Sequence, residues 1–150
     1  MTDAQDQPHL PRQRWMAVLA RASAAELAEL AGPLPAYDRL RGPEVGLVMM
    51  RGQAGGTGSP FNLGEATVTR CTVRTAAGQV GHAYCLGRDL HQAELAAVLD
   101  AALQDPESGP ALASQVVVPL AAAQAARRTQ LARRAAATQV QFFTLATMRS

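Results

Sequence analysis

The chain has 150 residues, 48% of them hydrophobic, and a formal net charge of +2. That length and apolar share suit a single domain, residues 1–150, around one core, and so small a surplus creates no broad field for gathering nucleic acid. All 14 basic residues are arginine, which excludes a Schiff-base lysine, a lysine general base and the phosphate-binding lysine of a Walker loop.

Isoleucine is absent as well, so the arginine richness reads as a coding bias rather than as a signal for anion forks. The opening MTDAQDQPHLPRQ has no basic stretch followed by an apolar run, and no segment approaches the roughly 18 apolar residues of a membrane span. A cytoplasmic chain with a flexible stretch at 1–10 is expected, with no membrane or nucleic-acid partner. Its two cysteines, Cys71 and Cys85, are then expected as thiols.

In chain order, residues 11–22 place Trp15, Val18 and Leu19 on one helical face. Ser23-Ala24-Ala25-Glu26 is a capping box that opens a second short helix, and Gly32, Pro33 and Pro35 stop it. Ten of the twelve glycines fall between Gly42 and Gly87 among valine, threonine, leucine and tyrosine. Strands are expected at 37–41, 45–53, 65–74 and 79–86, with Thr75-Ala76-Ala77-Gly78 as a hairpin turn. The simplest arrangement is an antiparallel meander of about four strands.

Asp89 then caps a helix with Leu95, Val98, Leu99 and Ala102 as its buried stripe, ending near Asp105-Pro106. Val116-Val117-Val118 is too short to assign, while Pro119 fits the first turn of a helix reaching about Ala137. Arg127, Arg128, Arg133 and Arg134 spread over its solvated flank. The closing Val140-Gln141-Phe142-Phe143-Thr144-Leu145 is apolar and must dock on its own core or on another chain. The fold class is therefore α+β, a small antiparallel sheet flanked by N-terminal, central and C-terminal helices.

The stretch GGTGSPFNLGEATVTR, residues 55–70, invites comparison with nucleotide loops. Gly55, Gly56, Thr57 and Gly58 lead into a strand, not a helix, and the spacing fits neither a Walker loop nor a dinucleotide fingerprint. Two readings stay open, a tight structural corner and a nest of backbone amides that contacts an anion. The strand beside it is clearer. With the turn at 75–78, Arg70 faces Tyr84, Thr72 faces His82 and Arg74 faces Val80, while Thr69, Cys71 and Val73 share the other face with Gly81, Ala83, Cys85 and Gly87. That small-residue face suits the helix from Leu90, and the diagonal cysteines are too far apart for a disulfide.

His82 and Cys85 point to opposite faces and His91 heads the next helix beside Glu94, so no metal site is expected. No nucleophile elbow or Ser-His-Asp arrangement is present. Arg88 sits where a strand enters a helix N-terminus, a place for an anion, although an Asp89 cap would use the same amides.

The segments RWMAVLA, GLVMMRGQAGGTGSPFNLGEATVTRCTVR, GHAYCLGRDLHQAELAAVLDAALQ and VQFFTL, in that order from Arg14 to Leu145, resemble the G subunit family of the bacterial carbon–phosphorus lyase core complex. The resemblance implies a place in a four-subunit assembly that joins a phosphonate to the ribose C1 of ATP and releases adenine. It also implies that a partner subunit holds the nucleosidase-type centre and another the iron–sulfur cluster, which two cysteines here could not bind. MgATP and phosphonate would then be substrates of the complex, with no cofactor bound by this chain alone.

Two roles follow. In one, the chain assembles with and activates the catalytic subunit. In the other, Gly55, Gly56, Thr57 and Gly58, or Glu65 with Arg70, or Arg88, touch substrate directly, Glu65 orienting Arg70 or a water. A free-standing small-molecule enzyme is the third reading.

Overall fold

A computed structural model describes residues 12–55 and 58–140. The glycine-loop residues Gly56 and Thr57, the stretch 1–10 and most of the closing apolar segment, 141–145, lie outside them. Helix α1, Arg12–Arg21, is followed by α2, Ala24–Ala31, whose capping box forms as expected. The Ser23 hydroxyl accepts from the Glu26 amide at 3.2 Å, and the Glu26 carboxylate accepts from the Ser23 amide at 2.8 Å.

The sheet has three antiparallel strands in the order β1-β2-β3: Tyr37–Gln53, Pro60–Thr75 and Val80–Leu86. The two strands expected at 37–41 and 45–53 are one, so about four becomes three among the described residues. Gly42-Pro43 reads as a break in the sequence, but the chain absorbs it as an irregularity, with the register shifting between Arg39 and Arg41 and again between Arg41 and Glu44. Strand β2 also begins earlier than expected, with Pro60 at its first position, where a missing amide costs no ladder bond.

The β2–β3 register is the expected one. Arg70 pairs with Tyr84, Thr72 with His82 and Arg74 with Val80. The turn closes through the Gly78 amide on the Thr75 carbonyl at 2.9 Å, with Gly78 at φ +97°.

Helix α3, Leu90–Leu103, lies on the small-residue face of β2 and β3. The Asp89 carboxylate caps it, accepting from the Gln92 amide at 3.0 Å. Leu95, Val98 and Leu99 are buried as expected and Ala102 only partly, while every residue from Ala93 to Ala101 is buried, because the sheet covers one side and α1 and α2 cover the other. A helix enclosed on all sides needs no polar stripe. The Gln92 side chain donates to the Ala20 and Ala22 carbonyls, and Arg12 reaches Asp100, so α1 runs antiparallel to α3.

After a short α4, Gly109–Leu112, a π-helical segment, Ala113–Val117, takes in the first two of the unassigned valines and runs into α5, Val118–Ala137, which begins with the third. Pro119 has no amide for the Gln115 carbonyl and its ring crowds that oxygen. The chain widens to a π turn in which the Val118 amide donates to the Ala113 carbonyl, and Val116 and Val117 are buried by it. Gln124 of α5 donates to the Val18 carbonyl, and Arg127 pairs with Glu26 at 2.9 Å. Beyond that point every residue of α5 is exposed. Among the described residues no helix is long and apolar enough to cross a membrane.

Candidate functional site

Strand β3 pairs only with residues 68–74 of β2, whereas β1 follows β2 to its start. Residues 47–53 and 60–67 therefore form a two-stranded arm that runs past the end of β3. Large apolar side chains stand exposed on both of its faces. Val48 and Met50 lie on one and Leu47 and Met49 on the other, with Phe61 and Leu63 against Gly52 near the tip. Leu47 is 63% and Leu63 60% exposed. A lone two-stranded ribbon is marginal in water, and this one offers apolar surface where a monomer normally presents charge.

At the root of the arm, on the sheet face that α3 does not cover, three charged side chains meet. Arg41 and Arg70 each donate Nε–H to the same Glu44 Oε1, both at 2.7 Å. Glu44 pairs directly across from Arg70, and Tyr84 stands on Arg70's other side. Arg41 and Glu44, three positions apart, would face opposite ways in a regular strand. They share a face because the chain bulges at Gly42, which has φ +66° and where a Cβ would stand 2.7 Å from the Arg70 carbonyl oxygen. Hydrogen bonds from Arg41, then from Arg70, hold the Glu44 carboxyl below the usual carboxylate range. In the next row of the same face Thr72 Oγ1 and His82 Nδ1 lie 3.1 Å apart.

The predicted site residues do not gather around this cluster. Glu65 pairs with Met49 five residues from Arg70, with no register shift between the two pairs, so the side chains leave opposite faces about 16 Å apart along the strand. Glu65 therefore cannot orient Arg70; Glu44 does. Gly55 and Gly58 lie at the tip of the arm, about 30 Å along the ribbon from Arg70, beyond the reach of any one phosphate group. There Gly58 is packed so closely on the Ala54 carbonyl that a Cβ would collide, and its own carbonyl accepts from the Gln53 side chain. Arg88 is exposed between β3 and α3, and the Asp89 cap occupies the helix amides beside it.

Sequence reasoning missed Arg41 and Glu44. The signal was the β1 register, hidden by two shifts between Arg39 and Glu44.

The opposite face of the sheet anchors the scaffold. Arg39 grips Glu94 with two bonds, at 2.6 and 3.0 Å, and the Tyr37 hydroxyl adds a third at 2.8 Å, so Glu94 pairs with β1 rather than with His91. These partners, Arg39 first, hold the Glu94 carboxyl below its ordinary range against the effect of burial. Asp100, fully buried, accepts from Arg12, from the Trp15 indole at 2.8 Å and from the His82 amide at 2.9 Å, tying α1 and β3 to α3. Cys71 and Cys85 are free and buried, and burial pushes the Cys85 thiol up to about 11.

The described residues thus present an apolar arm and a charged patch at its root. Residues 10–148 match the family described as phosphonate metabolism protein PhnG. A relative from Rhizobium meliloti (strain 1021), the alpha-D-ribose 1-methylphosphonate 5-triphosphate synthase subunit PhnG, is 46% identical over 140 residues, covering 89% of this chain and 87% of the relative. With a match that takes in the arm, the charged patch and every helix, the chain belongs to the PhnG family of phosphonate metabolism proteins.

Proposed function

We propose that the chain is a subunit of a synthase that joins a phosphonate to the ribose C1 of ATP with release of adenine, and that it works chiefly by assembling with and activating a catalytic partner. The name of the Rhizobium relative supports the reaction. The arm supports the role, since its apolar residues, on both faces of a two-stranded ribbon, are left uncovered by the described residues and suit burial against another chain. MgATP and phosphonate are the substrates of the complex, this chain holds no cofactor of its own, and the use of ATP supports a cytoplasmic location for the assembly. The partners are the other subunits of the carbon–phosphorus lyase core complex.

Co-expression with those subunits, affinity capture and size exclusion test the reading. A stoichiometric complex that releases adenine from ATP plus methylphosphonate is the expected result, with no turnover of ATP by the isolated chain. A monodisperse monomer that ignores the other subunits would overturn it.

A further inference from the structure

We propose that Arg41 and Arg70, fixed by Glu44 on the uncovered sheet face beside Tyr84, form a binding site for a phosphonyl or phosphoryl dianion. The proposal rests on the synthase-subunit reading only for the identity of that anion.

Two arginines on neighbouring strands repel, and one carboxylate oxygen bonded to both Nε–H groups holds them together. The cluster keeps one positive charge. Among the described residues the Nη groups of Arg41 have no hydrogen-bond acceptor and those of Arg70 have at most the neighbouring Tyr84 hydroxyl, so both guanidinium groups keep N–H donors for an anion. A tetrahedral phosphonate or terminal phosphate presents three oxygens to such forks, and guanidinium suits them better than a point charge does. Cross-strand neighbours stand about 5 Å apart, so Tyr84 is within reach of an anion seated on Arg70. The Thr72–His82 pair adds an imidazole on the same face.

The backbone is shaped to the cluster. Without the Gly42 bulge Arg41 would face α3, and bulges are a recurrent means of re-aiming a side chain beside a functional site. A simple surface ion pair needs one cation, not two converging on one oxygen. Arg70 is also only 34% exposed at its side chain, so its position is constrained.

Titration of the isotopically labelled full-length chain with methylphosphonate, in parallel with tripolyphosphate and with sulfate, tests the site through the arginine Nε–H resonances. Saturable shifts at Arg41 and Arg70 are expected with methylphosphonate or tripolyphosphate, and the anion binding at least tenfold tighter identifies the source. Arg70→Ala and Arg41→Ala should each weaken binding at least tenfold, while Arg74→Ala, on the same face but outside the cluster, leaves it unchanged. Arg70→Lys keeps the charge without the planar fork and should also lose tenfold, which serves if the alanine variant melts early. Equal shifts with sulfate, shifts that survive in Arg70→Lys, or no saturable shift would each overturn the site. If partner capture succeeds and the titration is silent, this inference alone fails. If the titration succeeds and capture fails, the synthase-subunit reading fails and the anion site stands.

Discussion

Gly81 marks the closest approach of sheet and helix. A Cβ there would collide with the Ala97 carbonyl and lie 2.6 Å from the Ala101 amide nitrogen. Both obstacles are backbone, so nothing can rotate away. Gly81→Ala should cost about 2 kcal/mol or more, read as a lowered urea midpoint. A midpoint unchanged within error would mean that α3 sits further from β3 than described. Glu94 makes a prediction of a different sign structure. Its carboxyl titrates below the ordinary 4.5 because Arg39, and then Tyr37, bond the charged form. Stability from a group shifted this way is complete above the unfolded value and is lost as pH falls through the lower folded value. The stability gap between the native chain and Glu94→Gln should therefore be widest near neutrality and shrink below about pH 4.5. Urea melts of both proteins from pH 7 to pH 3 check this, and a gap that does not change with pH would refute it. At Cys85, with its thiol pushed up to about 11, alkylation by iodoacetamide at pH 8 should be slow in the native chain and fast once it is unfolded in urea.

At the scale of elements, the proposed docking role of the arm predicts that folding and assembly can be separated by mutation. Leu47 and Leu63 bury nothing in the body, so Leu47→Asp with Leu63→Asp should shift the melting of the free chain by no more than about 0.5 kcal/mol per site. The same pair should abolish capture by partner subunits. Capture at the native level would remove the arm from the interface. This division also explains what was legible in the sequence. The β2–β3 hairpin could be registered residue by residue, because a glycine in a tight turn fixes the alignment and an odd slip would bury Arg70. Helix α3 was legible in place and cap, though its enclosure was not, since an alanine-rich helix looks one-sided until its neighbours are known. β1 was read as two strands, because Gly42-Pro43 carries the composition of a turn and only the paired strand shows that the ladder resumes. That error hid Glu44, whose cross-strand partner Arg70 is 26 residues away. The π turn before Pro119 was invisible for a related reason: a single inserted residue leaves little trace in hydrophobic spacing.

For the whole molecule, the candidate site was half legible. Arg70 emerged from strand alternation, whereas joining it to Glu65 ignored the same alternation, five positions being an odd number. The glycines at 55–58 read as a site because they cluster in the sequence, and of these Gly55 and Gly58 lie at the tip of the arm, far from Arg70. The arm and α5 leave the body at the same end, the arm beyond the Leu86–Val68 pair and α5 past Val18 and Glu26. A fork of this kind has a hydrodynamic consequence. A compact 150-residue chain has a radius of gyration of about 15 Å, whereas α5 alone, at 20 residues, is about 30 Å long. Small-angle scattering of the free chain at low concentration should give a radius clearly above that compact value, with a pair-distance distribution tailing to long separations.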